Sequence, residues 1–165
     1  MTEAEKPAVL ILCTGNTARS QMAEAFLKKY AGASLDVHSA GYDPKEIHPL
    51  TRQVMAEKGF DLSGQYAKGV TEFLGKKQFR YLIIVCAAAE AACPKQFPGV
   101  LFRLFWPFDD PAAATGSEEE QLAKFREVRD KIEARLLAWL RELPSFDHYW
   151  DTRPLVINLP EGRHP

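Results

Sequence analysis

One segment near the amino terminus restricts the fold of this chain more than any other feature. Residues 8–13 form a continuous apolar run, which is typical of a β-strand buried on both faces of a sheet. Five residues separate Cys13 from Arg19, and an amphipathic helical pattern begins directly afterwards and ends near Gly32. The segment therefore predicts a buried strand, a tight loop and a helix in succession.

The same alternation continues along the chain. Residues 35–40, 81–86 and 100–105 are predicted as further strands, and residues 49–58 as a helix that Gly59 ends. Strands that alternate with helices in this way predict an α/β fold. We expect a doubly wound, four-stranded parallel sheet with helices on both faces.

The longest predicted helix marks the end of the domain. It begins at Ser117, which forms a capping box with Glu120, and an apolar stripe at steps of three and four residues follows as far as Pro144. Beyond this proline the composition changes to proline, aromatic and irregular polar residues. We therefore predict one folded domain, residues 1–143, and a carboxyl-terminal tail, residues 144–165, of unknown role.

Charge and composition limit the partners of the chain. Its 21 basic and 22 acidic side chains give a net charge of −1, which argues against binding to nucleic acid or to an anionic membrane surface. The first residues are acidic where a secretory signal is basic, and no apolar stretch is long enough to span a membrane. We expect a monomeric protein of the cytoplasm.

Cys13 and Arg19 frame a candidate oxyanion-binding loop. A loop between a buried strand and a helix directs backbone N–H groups at one point, and the helix amino terminus adds positive potential. This field favours a reactive thiolate at Cys13, and the Arg19 guanidinium can donate two hydrogen bonds to one anion. The other residues assigned to this loop are Thr14, Gly15, Asn16, Thr17, Ala18 and Ser20. The alternative is that Cys13 is a small core residue and Arg19 a surface cation.

A second loop carries a candidate general acid. Asp109 and Asp110 precede Pro111, and a proline favours an extended conformation in the residue before it, which projects Asp110 outward. A carboxylic acid at this place can protonate an oxygen that departs from a tetrahedral oxyanion. The alternative is that both carboxylates cap turns.

The chain has three cysteines, an odd number that favours reactive or metal-binding thiols over a structural disulfide framework. Cys86 ends a predicted strand, so we expect it to share the carboxyl edge of the sheet with Cys13. Cys93 follows after six residues, a spacing that lacks the short interval of common zinc sites, and we predict no metal site. Two inert buried cysteines are the alternative.

Two stretches of the sequence resemble a known family. CTGNTARSQMAE at residues 13–24 and VHSAG at residues 37–41 are similar to the low-molecular-weight tyrosine phosphatase family, and more closely to its arsenate reductase branch coupled to thioredoxin. The resemblance extends from about Val9 to Leu143. It implies a flavodoxin-like sheet, arsenate as substrate with phosphate and sulfate as competing anions, and Asp110 as the acid.

The resemblance also implies a redox route for the three thiols. Cys13 attacks arsenate, and Cys86 attacks Cys13 and releases arsenite. Cys93 then attacks the Cys13–Cys86 bond, and thioredoxin reduces the resulting Cys86–Cys93 disulfide. This route needs no cofactor. On a regular helix Cys86 and Cys93 stand about 10 Å apart, beyond the ~7 Å limit of a bridged pair, so the segment between them must loop or unwind.

One position departs from the family pattern. Asn16, Glu24 and Ser39 match members that bind potassium beside the loop, but Lys68 stands where the pattern has an acid. A lysine ammonium can occupy the cation position itself. We therefore predict no potassium requirement.

Two other functions are compatible with the sequence. A phosphatase that hydrolyses phosphomonoesters would use the same loop and acid. We expect Trp106 and Phe108 to pack the acid loop; the alternative is that they form aromatic walls beside the pocket that select a phosphotyrosine ring. A non-catalytic oxyanion or redox sensor would bind the anion without turnover. The pair Cys86 and Cys93 discriminates between reductase and phosphatase, because phosphoryl transfer has no use for extra thiols.

Overall fold

The computed structural model describes residues 6–93, 97–146 and 157–160, which form one sheet of four parallel strands with helices around it. The strands are β1 (Ala8–Cys13), β2 (Asp36–Gly41), β3 (Phe79–Ile84) and β4 (Val100–Phe105), and their order in the sheet is β2-β1-β3-β4. The helices are α1 (Arg19–Ala31), α2 (Pro49–Ala56), α3 (Ala87–Ala92) and α4 (Glu118–Phe146). The predicted α/β class and the parallel four-stranded sheet are confirmed.

The strand β1 lies inside the sheet and is buried along its whole length. It pairs in parallel with β2 on one side and with β3 on the other, so that Cys13 lies opposite Gly41 and Leu12 opposite Ile84. Parallel strands all end at the same edge, and ligands bind outside the carboxyl ends of such strands. The residues that follow Cys13, Gly41 and Ile84 therefore meet at one place.

Helices cover both faces of the sheet. The strand register places Ser39 on one face and Arg103 on the other, because side chains alternate along a strand. The Ser39 hydroxyl donates a hydrogen bond of 2.8 Å to Glu24 of α1, whereas Arg103 forms an ion pair of 3.1 Å with Glu90 of α3. The sheet is thus enclosed between α1 on one face and α3 on the other.

The long helix α4 packs beside α1 through its predicted apolar stripe. The buried residues of that stripe are Leu122, Phe125, Val128, Ile132, Leu136, Trp139 and Leu143. Burial of each large side chain contributes about 1.5–3 kcal/mol, so this stripe is what attaches the helix. No helix in the described part of the chain is both long and apolar enough to cross a membrane.

Several element ends differ from the sequence prediction, among them the carboxyl ends of β3 and α2. β3 ends at Ile84 rather than at residue 86, because the Cys86 sulfur accepts the Ala89 N–H and starts a helix in place of a longer strand. The helix α2 ends at Ala56, shortly before Gly59, which adopts a positive φ of 83°. Both differences are confined to one or two residues at an end.

The predicted boundary between domain and tail falls inside α4. The helix continues through Pro144 to Phe146, although a proline at this place removes the hydrogen bond to the carbonyl four residues before it. Of the predicted tail beyond this helix, only residues 157–160 are described, and there the Asn158 N–H donates to the Tyr30 carbonyl at 2.7 Å. The division at residue 143 and the role of the tail stay predictions.

Candidate active site

The sulfur of Cys13 lies at the base of the predicted oxyanion loop. Cys13 is 3% exposed, and its Sγ accepts hydrogen bonds from the Asn16 backbone N–H at 3.3 Å and from the Ser20 hydroxyl at 3.2 Å. The helix α1 begins directly behind the loop. Two donors and a helix amino terminus stabilise negative charge on the sulfur, and the thiolate is the nucleophilic form of cysteine.

Asn16 fixes the shape of this loop. Its backbone adopts a positive φ of 53°, a conformation that costs a non-glycine residue about 1–3 kcal/mol. Its buried amide nitrogen donates to the hydroxyls of Ser20 at 2.8 Å and Ser39 at 2.9 Å. Its amide oxygen accepts from the Lys68 backbone N–H and from the Gln21 side chain, both at 2.8 Å. These bonds offset the strained backbone and connect the loop to β2.

The segment that follows β2 braces the loop from outside. Three of its backbone N–H groups donate to loop carbonyl oxygens at 2.9–3.0 Å: Asp43 to Thr14, Lys45 to Gly15 and His48 to Thr17. Gly41 passes so close that a Cβ at this position would lie 2.5 Å from the Thr14 carbonyl oxygen. The loop carbonyls, which would repel an anion, are thereby engaged elsewhere.

Arg19 presents an unsatisfied donor at the site. Its Nη1 donates to the Phe108 carbonyl at 3.1 Å, and its Nη2 lies 3.8 Å from the Asp110 Oδ2. Its Nε is buried and has no hydrogen-bond partner within the described residues. A buried donor without a partner costs about 1–3 kcal/mol, so an oxyanion bound above Cys13 would relieve that cost.

The two candidate acids have different environments. Asp110 is half-exposed and faces Arg19 with one oxygen, while the other accepts the Ala112 N–H at 3.0 Å and caps a short turn. Asp109 forms an ion pair of 2.9 Å with Lys124 of α4, and that hydrogen bond holds the pKa of the Asp109 carboxyl below its usual range. The structure therefore brings Asp110 to the site and directs Asp109 toward α4.

Cys86 lies beside the oxyanion loop. Its Sγ is 3.5 Å from the Thr14 Oγ1 and accepts the Ala89 N–H at 3.4 Å, so the thiol caps the amino terminus of α3. The side chain is 1% exposed. As predicted, Cys86 lies at the same edge of the sheet as Cys13, beside the loop that follows it.

Cys93 lies at the opposite end of the same helix. Its backbone N–H donates to the Ala89 carbonyl at 2.9 Å, and its side chain is buried. All three cysteines are reduced. Because seven positions of helix rise by about 10 Å, the Cys86 and Cys93 thiols cannot bond while α3 is wound.

A buried ion pair supports the loop from behind. The Lys68 Nζ lies 3.4 Å from Oε1 of the buried Glu24 and donates to the Tyr66 carbonyl at 2.8 Å. Burial lowers the pKa of Lys68, and the neighbouring Glu24 partly opposes this effect. The described residues contain no group of three or more His, Cys, Asp and Glu side chains that could hold a metal ion.

A cavity of about 540 Å³ opens over these groups. Cys13, Arg19 and Asp110 line it together with the charged residues of segment 43–48. This volume and this lining suit a small tetrahedral anion with water around it.

Comparison with known proteins identifies the family. The sequence profile described as "Low molecular weight phosphotyrosine protein phosphatase" matches residues 8–146. The chain belongs to this family. An arsenate reductase of Halalkalibacterium halodurans is 41% identical over 131 residues, which cover 79% of this chain and 93% of that protein. An arsenate reductase of Bacillus subtilis is 40% identical over 133 residues, which cover 80% and 94%.

Solved structures show the same fold. An arsenate reductase in the phosphate binding state matches with a TM-score of 0.65 at 27% identity, over 82% of this chain and 98% of that chain. A thioredoxin-dependent arsenate reductase of Corynebacterium glutamicum matches with a TM-score of 0.66 at 26% identity, over 88% and 66%. An arginine phosphatase of Geobacillus stearothermophilus matches with a TM-score of 0.69 at 19% identity, over 90% and 99%, and shows the fold alone.

The two aromatic residues before the acid loop, Trp106 and Phe108, pack in or against the core. Trp106 is buried, and its ring meets Trp139 edge-on at 5.6 Å and lies 4.5 Å from the Arg135 guanidinium. Phe108 offers its carbonyl oxygen to Arg19, but its ring does not line the cavity. These contacts fit the predicted role of Trp106 and Phe108 in packing the acid loop, and selection of an aryl ring stays an alternative prediction.

The sequence analysis gave no role to two parts of this site. Segment 43–48 lies just beyond the carboxyl end of β2, where parallel sheets place their ligands. Gln21 was not singled out, yet its buried amide bonds Asn16 and the Tyr66 carbonyl. The carboxyl-edge rule was a signal for segment 43–48, whereas no sequence signal marked Gln21.

Proposed function

We propose that this chain is an arsenate reductase that reduces arsenate to arsenite with the thiols of Cys13, Cys86 and Cys93. The observation that carries the proposal is the Cys86 thiol, 3.5 Å from the Thr14 hydroxyl of the oxyanion loop. A second thiol beside the loop serves electron transfer, and phosphoryl transfer has no use for it. Relatives about 40% identical that are arsenate reductases support the same function.

In the first step the Cys13 thiolate attacks arsenic. The N–H groups of the loop and the Arg19 guanidinium hold the arsenate oxygens, and the unpaired Nε of Arg19 gains an acceptor. Asp110 in its protonated form gives its proton to the departing oxygen, which leaves as water. The product is an arsenate adduct on the Cys13 sulfur.

Cys86 supplies the electrons in the second step. Its sulfur attacks the Cys13 sulfur, a Cys13–Cys86 bond forms, and the electron pair of the sulfur–arsenic bond leaves with arsenite. The Cys86 sulfur accepts the Ala89 N–H at the start of α3, and a helix amino terminus stabilises negative charge on an attacking thiolate. The contact with Thr14 keeps the thiol at the loop.

Cys93 completes the transfer after α3 unwinds. Its thiolate attacks Cys86, a Cys86–Cys93 bond forms, and Cys13 leaves as a thiolate ready for the next arsenate. The helix between them has six residues, and helices of this length have little stability of their own in water. Unwinding is therefore a small cost for this step.

A dithiol protein of the thioredoxin kind then reduces the Cys86–Cys93 disulfide. The thioredoxin-dependent reductase of Corynebacterium glutamicum, which shares this fold, supports that assignment. We expect the chain to act as a monomer in the cytoplasm, where such reductants keep thiols reduced. With Lys68 as an internal cation beside Glu24, we expect neither a cofactor nor a potassium requirement.

Hydrolysis of phosphomonoesters is the second candidate function. Asp110 lies 3.8 Å from Arg19 at the cavity, and together with Cys13 these groups suffice for phosphoryl transfer to and from a cysteine. The shared anion loop and acid predict a weak phosphatase activity beside arsenate reduction. Repeated turnover of arsenate would also exclude a non-catalytic oxyanion or redox sensor.

Arsenite release with thioredoxin, thioredoxin reductase and NADPH tests the proposal. Wild type is expected to turn over many times, and Cys13→Ser to release no arsenite and hydrolyse no p-nitrophenyl phosphate. Cys86→Ser and Cys93→Ser are expected to lose steady-state arsenite release but to keep the phosphatase activity, which needs only the loop and the acid. If both of these variants release arsenite at the wild-type rate, the redox assignment is wrong.

A further inference from the structure

The backbone of His48 connects the oxyanion loop to α2. His48 is the last residue of segment 43–48 and the N-cap of α2. Its backbone N–H donates to the Thr17 carbonyl of the loop at 3.0 Å, and its own carbonyl accepts the Arg52 N–H of α2 at 3.3 Å. The residue also lines the cavity over Cys13. A change at His48 therefore reaches the groups that surround the anion.

The ring of His48 maintains this arrangement through a hydrogen bond that requires a neutral imidazole. Pro49 occupies the first position of α2 and has no N–H, so the Leu50 N–H is the first donor of the helix that needs an acceptor. The His48 Nδ1 accepts this N–H at 3.1 Å. Only an unprotonated ring nitrogen can accept a hydrogen bond, so the ring proton is on Nε2 in this state.

Uptake of a second proton by this ring removes the cap. Both ring nitrogens of an imidazolium are donors, so Nδ1 would face the Leu50 N–H with a proton of its own. Turning the ring away would break its contact with the Phe125 ring of α4, whose centroid lies 4.8 Å from that of His48. A positive charge is also unfavourable at the amino terminus of a helix. Loss of a cap changes the equilibrium of a helix end by about 2–30-fold.

We propose that His48 is a positioning residue whose protonation controls the oxyanion loop. While the ring is neutral, its backbone N–H keeps the Thr17 carbonyl turned away from the anion; when the ring takes up a proton, that carbonyl is released. A released carbonyl oxygen is free to face the oxyanion, which weakens anion binding. Histidine side chains change charge between about pH 5 and 8, the range in which a cell can use the effect. The inference rests on the anion-binding loop of the proposed function and adds a dependence on pH to it.

Other charged groups surround His48, and a test must leave them in place. The titratable and charged side chains that line the cavity with His48 are Cys13, Arg19, Asp43, Lys45, Glu46 and Asp110. The neighbouring helices add Arg52 of α2, and Lys124 and Arg126 beside Phe125 on α4, each bonded to another group. A variant that changes only residue 48 keeps all of them, so that their own titration cancels when it is compared with wild type.

His48→Asn separates the proton from the cap, because asparagine is a preferred N-cap acceptor and does not titrate. Sulfate is the probe, since its charge is constant over the range of about pH 5–8 in which histidine titrates. Calorimetry gives the Kd of sulfate for each chain. We expect the ratio of the wild-type Kd to the His48→Asn Kd to be near one at about pH 8 and to rise roughly 3–10-fold at about pH 5.5. A ratio that is the same at both pH values overturns the inference.

Two further variants complete the comparison. His48→Ala has no acceptor for the Leu50 N–H at any pH, so it is expected to bind sulfate weakly throughout the range; wild-type affinity in this variant would refute the role. His38→Asn is the matched control, because the His38 Nε2 lies 2.9 Å from the Asp36 Oδ1, a contact that protonation strengthens. It is expected to follow the wild-type pH profile, and a loss of that profile in His38→Asn would contradict the assignment to His48.

Amide hydrogen exchange tests the connection to the loop without any anion. The two amides to follow are that of Leu50, which reports the cap, and that of Lys45, which donates to the Gly15 carbonyl of the loop at 2.9 Å. Neither amide directly follows residue 48, so their intrinsic exchange rates are the same in wild type and His48→Asn.

At about pH 5.5 both amides are expected to exchange roughly 3–10-fold faster in wild type than in His48→Asn. Faster exchange at Leu50 alone would mean that α2 frays without releasing the loop, which refutes the inference. A wild-type chain that binds no sulfate even at high pH would refute the anion loop of the proposed function, whereas the exchange rates would still decide the role of His48.

Discussion

The buried ammonium of Lys68 provides a direct test of how the oxyanion loop is supported. Lys68 is 7% exposed and its Nζ lies 3.4 Å from the Glu24 carboxylate, which is itself 2% exposed. Lys68→Met keeps an unbranched apolar side chain and the backbone N–H that bonds Asn16. It removes the ammonium, so that the buried carboxylate loses its buried partner and the Tyr66 carbonyl loses a donor.

The size of the expected loss of stability depends on the partners that Glu24 keeps in Lys68→Met. Loss of one partner from a buried ion pair costs about 3–5 kcal/mol. Glu24 still accepts hydrogen bonds from the Ser39 hydroxyl at 2.8 Å and from the half-exposed Lys28 ammonium at 3.1 Å. The variant also avoids the free-energy cost of burying the Lys68 ammonium. We therefore expect Lys68→Met to lower the free energy of unfolding by about 2–3 kcal/mol, less than the full range.

Urea unfolding at pH 7 measures this loss. Lys28→Met is the matched control, because it removes the other ammonium on the same carboxylate, and an exposed pair of this kind is worth about 0–1 kcal/mol. If Lys68→Met and Lys28→Met lose the same free energy, the buried pair does not support the loop.

The same perturbation predicts a gain of cation dependence. Lys68→Ala vacates the space beside Glu24 and the Tyr66 carbonyl, two oxygen ligands that suit a monovalent cation. Arsenite release by this variant is expected to rise when potassium replaces sodium at equal ionic strength, while wild type responds equally to both. Wild-type activity that rises steeply with potassium would refute the assignment of Lys68 as the internal cation.

Three further substitutions test other parts of the structure. Asp110→Asn is expected to slow p-nitrophenyl phosphate hydrolysis by about 10²-fold or more, with Asp109→Asn near the wild-type rate; equal losses would contradict Asp110 as the acid. Gly41→Ala would place a Cβ 2.5 Å from a loop carbonyl oxygen, so we expect a lower Tm by circular dichroism and weaker arsenate binding, and wild-type values for both would count against the tight fit. A hydrogen bond from Arg126 holds the pKa of Glu57 below its ordinary value of 4.5, so the stability that Glu57 provides is complete above that pH and is lost as the pH falls through the lowered pKa. Glu57→Gln should therefore cost about 1 kcal/mol at pH 7 and nothing near pH 2, whereas a cost independent of pH would refute the linkage.

The oxyanion loop was predictable from sequence because all of its parts are contiguous. A buried strand, five loop residues and an amphipathic helix occur within one segment, and local geometry alone directs the N–H groups inward. The same holds for Asp110, whose projection depends on the next residue. Sequence therefore identified Cys13, Arg19 and Asp110, which the structure brings together at one cavity, and their chemical roles stay proposals.

Contacts between distant segments could not be predicted in this way. The Lys68 backbone N–H donates to the Asn16 side chain across 52 positions of chain, and the Gln65 side chain donates to Gln21 across 44. Such pairs depend on the register of the sheet and on the course of the loops beyond it. The sequence prediction placed the end of β3 too late for a related reason. The choice between strand and helix at Cys86 depends on one hydrogen bond, which the Ala89 N–H donates to the Cys86 sulfur.

That bond also connects the first disulfide of the proposed route to the second. In the reduced protein the Cys86 sulfur caps α3, and loss of a cap destabilises a helix by about 0.5–2 kcal/mol. When Cys86 bonds to Cys13, its sulfur turns toward the loop and is a poorer acceptor than a thiolate, so the cap weakens. A helix of six residues has little stability to lose. In the proposed route we therefore expect the Cys13–Cys86 bond to favour the unwinding of α3 that brings Cys93 to Cys86, which would set the order of the two steps.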